Sequence, residues 1–323
     1  MKNLLVLVAA ALLGGSSWAQ APSNGAGADY PNKIIKIIVP FTAGSATDIM
    51  ARIIGERLSA GMGQAVIVEN RAGAGGTLGA AQVAKSEPDG YTLLVVSTGH
   101  VVNPALYGSL PYDTLADFAG VSPLAALPNV LVVGADSPYK SVRELTAAAK
   151  AKPGQLNYAS AGVGSGTHVN AEKFRAAASI LATHIPFKGT PEAIVEVSSG
   201  RVDFMFTPVL AALPSIRDKR MQALALSTAK RSTVLPDVPT VAEAGVPGFV
   251  FDFWIGLLAP AKTPRAIVNK LNLEVRKVIA QPDVLEKLLK LGAEPMPMTP
   301  ERFDAYIKEE FAALGTMMKG ASK

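Results

Sequence analysis

The chain predicts an α/β protein of two lobes, each a mainly parallel sheet flanked by helices, with two chain crossings between them. Three observations carry this. Apolar strand-like runs alternate with helical patterns from residue 33 onward. Three strand-to-helix junctions share one glycine-rich design: residues 34–48 (IIKIIVPFTAGSATD), 66–79 (VIVENRAGAGGTLG) and 157–168 (NYASAGVGSGTH). A second cycle of strands and helices is enclosed on both sides by segments of the first. The 323 residues suit about two domains.

The isoleucine-rich run 33–39 is the first strand. Residues 48–58 place Ile49, Met50, Ile53, Ile54 and Leu58 on one helical face. A second strand (65–69), a second helix (77–85) and a third strand (91–97) give βαβαβ order, which argues a parallel sheet binding ligands beyond the carboxyl ends of its strands. Residues 128–133 begin the second cycle. The helix over 141–150 has Ser141 as N-cap and Glu144 at the capping-box position. A strand over 156–159, a helix from about Thr167, a short strand over 185–187 and a helix over 191–199 stopped by Gly200 follow. Residues 202–206 and 222–226 complete the second sheet. After residues 249–258 come helices over 264–280, 282–291 and 300–318. The crossings are expected near 127–129 and 245–249. Lobe 1 is thus 30–127 with 247–323, and lobe 2 is 128–246.

Hydrophobic residues make up 49% and charged residues 18%, enough for a sizeable core and against global disorder. The net charge of +5 is spread out, and its densest cluster, Arg217-Asp218-Lys219-Arg220, contains an acid. That pattern reads as a solvated loop, so no nucleic-acid partner is expected. The absence of cysteine excludes disulfides and thiol chemistry. Lys2, the apolar run 4–13 and Ser17-Trp18-Ala19 form an export signal over residues 1–19, cut after Ala19. Residues 20–29 read as a flexible tether, and the compartment as the bacterial periplasm.

A glycine-rich turn opening a helix leaves backbone N–H groups unpaired at the positive end of the helix dipole. It binds an anion without a basic side chain. The turn at Phe41–Asp48 adds Ser45, Thr47 and Asp48 as possible caps. The turn at Ser160–His168 adds the side chains of Ser160, Ser165, Thr167 and His168. Gly73-x-Gly75-Gly76-x-x-Gly79 misses the dinucleotide fingerprint because Leu78 stands where glycine is required, so no nucleotide cofactor is expected. Val163 and Thr167 occupy the glycine positions of a nucleophile elbow. Ser227-Thr228-Ala229-Lys230 matches S-x-x-K without its companion motifs. His100, His168 and His184 are scattered, so no metal is expected. The aromatic run 249–254 fits either core packing or a cleft wall.

Ordered motifs along the chain carry a resemblance. They are Tyr30-Pro31-x-Lys33 before IVPF (38–41), VENRAGAGG (68–76), DGYTLL (89–94), LPYD (110–113), NYASAG (157–162), FKGTPEA (187–193), Gly200-x-Val202-Asp203 and LPDVPTVAEAG (235–245). In these the chain resembles the periplasmic solute receptors of tripartite tricarboxylate transporters, the Bug-type receptors. The resemblance implies a Venus-flytrap periplasmic-binding-protein fold. It implies a receptor, not an enzyme, that delivers a small carboxylate (a dicarboxylate, tricarboxylate, amino acid or aromatic acid) to membrane permease subunits. A monomer is expected. Carried over by position, the ligand contacts are Phe41, Thr42, Ala43, Gly44, Ser45 and Thr47 in lobe 1. In lobe 2 they are Ser160, Gly162, Gly164, Ser165, Gly166, Thr167 and His168. Thr98 and Asp203 match further cleft positions. Where the family usually has P-G-G, this chain has Ala43-Gly44-Ser45, which restricts the backbone and adds a hydroxyl. Two other functions fit the residues: an exported hydrolase using Ser165 and His168, and a periplasmic sensor domain.

Overall fold

The computed structural model describes residues 29–321; the export signal and nearly all of the tether lie outside them. The first lobe opens with β1 (Ile35–Val39), α1 (Ala46–Met62), β2 (Val66–Asn70), α2 (Thr77–Ala84), β3 (Thr92–Ser97), the short α3 (Asn103–Leu106) and β4 (Phe118–Leu127). The second lobe holds β5 (Asn129–Gly134), α4 (Val142–Ala151), β6 (Asn157–Ser160), α5 (Gly166–Ala178), β7 (Thr183–Pro186), α6 (Thr190–Ser198), β8 (Phe204–Pro208), α7 (Val209–Arg217) and β9 (Met221–Leu226). The chain then returns through β10 (Phe253–Pro260), α8 (Arg265–Ile279), α9 (Pro282–Lys290), β11 (Glu294–Pro295) and α10 (Pro300–Ala321).

The strand orders are β11-β4-β10-β3-β1-β2 and β7-β6-β8-β5-β9. Both sheets are mixed, which corrects the expectation of mainly parallel ones. β1 pairs with β2 and β3, and β6 with β7 and β8, in parallel. The strands next to the crossings run the other way: β10 against β3 and β4, and β5 against β8 and β9. A strand entering directly from the other lobe has no crossover helix to reverse it, so it lies antiparallel.

One passage between sheets is the single residue Pro128. On the return, Phe251 N–H still donates to Ser227 O (2.8 Å) in the second lobe, and Phe253 is already paired with Leu127 in the first sheet. Asp252 therefore makes the passage, later than the 245–249 expected. β4 escapes sequence reading because Pro123 interrupts it; the proline sits beside a bulge where β10 skips Leu124. The central strands are buried along their whole length, as in β5 and β10. Along β5, Leu131 and Val133 join the large cluster shared by both lobes, while Val130 and Val132 join a smaller one against α6 and α7. No described helix is long and apolar enough to cross a membrane.

Candidate ligand-binding site

The turns before α1 and α5 are near copies. Gly44 and Gly164 precede the helices with φ of +82° and +79°, a conformation that glycine adopts without strain. The next residues, Ser45 and Ser165, are N-caps in the same extended conformation (φ −68° and −66°). Their hydroxyls accept the N–H of Asp48 (3.4 Å) and of His168 (3.3 Å). Each also meets a threonine hydroxyl two residues on, Thr47 or Thr167, at 3.0 Å. Capping uses one orphan donor per helix, so the N–H groups of Ala46, Thr47, Gly166 and Thr167 have no intrahelical partner. A serine at position 45 is thereby explained. Position 45 needs no left-handed conformation, and Ser45 repeats the cap that Ser165 supplies.

Each turn is pinned from within its helix. Gly44 N–H donates to Asp48 Oδ2 (2.9 Å), and Gly164 N–H to His168 Nδ1 (3.2 Å). That bond places the neutral imidazole's proton on Nε2. Burial would raise the Asp48 carboxyl, but hydrogen bonds from Arg52, Gly44 and Asn70 hold it below its ordinary value. Burial pushes His168 below its ordinary value, with Glu172 opposing. The His168 ring stacks on His184 at 4.3 Å, and Ser160 Oγ lies 2.6 Å from His184 Nε2. Burial, then the charges of His168 and Arg175, push His184 down to about 3.

Between the lobes lies a cavity of about 20 Å³, space for about one water molecule. Phe41, Ser45, Thr47, Ser165, Gly166 and Thr167 line it, all of them expected. Ala46, Ser97, Ala161, Thr190, Pro208 and Phe253 line it as well and were missed. Phe253 lay within the aromatic run whose role was open; Phe249, Phe251 and Trp254 of that run are buried core. The other missed residues carry no distinctive signal, although Ser97 adjoins the expected Thr98 and Thr190 opens a helix.

The lobes touch around this cavity. Thr42 Oγ1 donates to Glu192 Oε2 (2.9 Å) and Tyr107 OH to Val163 O (2.8 Å). Glycines make the approach possible. A Cβ on Gly75 would lie 1.7 Å from Val163 O, and one on Gly99 2.3 Å from Gly164 O. Thr42, Gly162 and Gly164 thus belong to this seam as much as to the turns, while Ala43 and Gly44 are exposed at the turn's tip.

Two expected contacts lie away from the cavity. Thr98 Oγ1 accepts the Trp254 N–H (2.9 Å) and fixes β10 to the end of β3, leaving Ser97 to line the cavity. Asp203 sits before β8 and accepts the Asn157 N–H (2.7 Å). That is the amino end of β6 and β8, the opposite end of the sheet from Ser160 and Pro208, and cleft residues lie at the carboxyl ends. Ser160 is buried against His184 rather than lining the cavity. Ser165 and His168 form no nucleophile–base pair, since the serine accepts the histidine's backbone N–H and Nδ1 holds Gly164. Among the described residues no three histidine, aspartate or glutamate side chains gather as a metal would need.

Comparison with known proteins agrees with this architecture. Residues 50–322 match the model of the tripartite tricarboxylate transporter family receptor. A protein of the tcbD-tcbE intergenic region of Pseudomonas sp. (strain P51) is 42% identical over 282 residues, 87% of this chain and 84% of that one. Protein BugT of Bordetella pertussis is 38% identical over 283 residues, 87% of each. Among solved structures, R. palustris Rpa4515 with adipate superposes with a TM-score of 0.88 at 34% identity, over 91% of this chain and 99% of that one. MatC from Rhodopseudomonas palustris with bound malate gives 0.86 at 34%, over 90% and 100%. The periplasmic binding protein BugD gives 0.87 at 32%, over 91% and 99%.

Proposed function

Because the chain belongs to the tripartite tricarboxylate transporter receptor family, we propose that it captures a small organic carboxylate between its lobes in the periplasm and hands it to a membrane permease. The observation that carries this reading is the pair of Gly-Ser-x-Thr helix starts facing one cavity. Their four unpaired N–H groups and clustered hydroxyls offer neutral donors to an anion, reinforced by two helix dipoles. Ser97 and Thr190 add hydroxyls, and Phe41, Pro208 and Phe253 an apolar wall for a carbon chain. The acids bound by the two Rhodopseudomonas proteins, adipate and malate, set the starting class.

An organic acid needs more room than about one water, so capture requires the seam to part and re-form. No chemistry is assigned, because Ser165 and His168 are both engaged in holding the turn. Thermal-shift screening of mature protein against malate, adipate and other small acids tests the reading. An acid at about 100 times its Kd stabilises the folded state by about 2.7 kcal/mol. A panel without any shift overturns the carboxylate class. Loss of a bound acid over long incubation, read by mass spectrometry, would instead favour the hydrolase.

A further inference from the structure

The two turns perform one job with different acceptors. His168 pins Gly164 with a neutral nitrogen, whereas Asp48 pins Gly44 with a carboxylate. A neutral acceptor therefore suffices for the geometry. A carboxylate at that place puts a negative charge, 2% exposed, one helical turn from donors that are to hold an anion. Left alone, it opposes the ligand.

The structure also shows what offsets it. Arg52, one turn further along α1, places Nε at 3.1 and 3.0 Å from the two Asp48 oxygens and Nη2 at 2.9 Å from Oδ1. Its Nη2 also donates to Asn70 Oδ1 (3.0 Å). Asn70 Nδ2 in turn donates to Asp48 Oδ1 (2.8 Å) and to Phe41 O (3.0 Å), joining both ends of the turn. The second lobe has no basic residue at the matching position: Glu172 stands four residues after His168, where Arg52 stands after Asp48.

We propose that Asp48 is a positioning residue for the lobe 1 anion turn, and that Arg52 serves to cancel its charge so that the turn remains attractive to a carboxylate. This rests on the carboxylate-receptor reading. Arg52 contacts no cavity-lining side chain in the hydrogen-bond network, so its effect on the ligand passes through Asp48.

The test is a double-mutant cycle read by calorimetry with malate, adipate and inorganic sulfate as probes. Arg52→Gln uncovers the carboxylate and weakens anion binding about tenfold, more at low salt. Asp48→Asn keeps an oxygen for Gly44 and removes the charge, so binding tightens about threefold to tenfold. The double variant recovers the loss of Arg52→Gln, which a purely structural role for Arg52 would not allow. Weaker binding by Asp48→Asn, or no recovery in the double variant, overturns the proposal. A ligand-free measurement separates it from the receptor reading. By amide exchange in NMR, Gly44 stays protected in Asp48→Asn and becomes labile in Asp48→Ala. If no probe binds the wild type, the carboxylate class fails, and the Gly44 amide alone upholds or refutes the positioning role.

Discussion

Replacing Gly75 with alanine should hold the lobes apart. Gly75 lies in the first lobe at φ +60°, ψ 21°, and an added Cβ would sit 1.7 Å from Val163 O and 2.9 Å from Val163 C in the second. Reaching even a 3.0 Å separation requires a shift of about 1.3 Å (3.0 − 1.7) across the interlobe seam, and overpacking of this kind costs about 1–3 kcal/mol. The same shift strains the Tyr107–Val163 hydrogen bond, worth about 1 kcal/mol. Together these raise the closed form by about 2–4 kcal/mol relative to the open one, or about 30- to 1,000-fold in apparent affinity. The left-handed backbone adds about 1 kcal/mol that burdens both forms alike. Gly63→Ala isolates that part: its φ is +67° and its Cβ would meet nothing within 4 Å. In solution scattering, wild type and Gly63→Ala contract with a bound acid, while Gly75→Ala keeps the open radius of gyration. Calorimetry should show the matching loss of affinity. If Gly75→Ala closes and binds as Gly63→Ala does, the seam does not limit closure.

Three further outcomes are expected. Thr42→Val removes the hydroxyl bonded to Glu192 across the cleft, so acid dissociation quickens about three- to tenfold with little change in association, as stopped-flow measurement would show. Ser45→Ala and Ser165→Ala each remove an N-cap and lower stability by about 1 kcal/mol in urea melts; unchanged melts would contradict the capping geometry. Acid stability should follow the buried histidines. Burial lowers His100 from its ordinary 6.5 to about 4, and His184 falls to about 3. Above pH 6.5 both are neutral, folded or unfolded; below it only the unfolded chain takes up the protons, so stability falls as pH drops toward 4 and then 3. At pH 4.5 the two together cost on the order of 5 kcal/mol, and a flat urea midpoint between pH 7 and 4.5 would refute the burial argument.

The order of strands and helices was legible wherever periodicity was strong. Helix α8 and its neighbour α9 follow the expected bounds within a residue or so, because each carries one apolar face. The cap at Ser141 was readable for the same local reason: its hydroxyl accepts the Glu144 N–H at 3.2 Å. What escaped was set by contacts distant in sequence. β4 reads as broken at Pro123, yet a bulge against β10 absorbs the proline. α7 carries Pro214 inside it and lay hidden between two apolar strands. Strand direction was misjudged because the chain's passages at Pro128 and Asp252, not local pattern, orient β5 and β10. In the site, Ser45, Thr47, Ser165 and Thr167 were visible as a repeated small-polar motif, whereas Ser97, Thr190 and Pro208 arrive from three separate strands and helices.

The glycines hold a subtler lesson. Reading the junctions as anion turns explains Gly44 and Gly164, whose positive φ aims the capped helix starts. It does not explain Gly75, Gly99 or Gly189. Those three leave space for the opposite lobe: the Cβ of Gly189 would lie 1.9 Å from Thr42 Oγ1. Thr42 and Gly164 belong to both arrangements, since Thr42 O accepts the Ser45 N–H while its hydroxyl reaches Glu192. The backbone that would grip an anion is thus continuous with the backbone that seals the cleft. An acid that orders either turn must favour closure, and a substitution that spoils the seam must weaken the acid's hold without touching it. Affinity and closure in this chain should therefore change together across variants of Gly75, Gly99 and Gly189, and a variant that bound fully while remaining open would break that linkage.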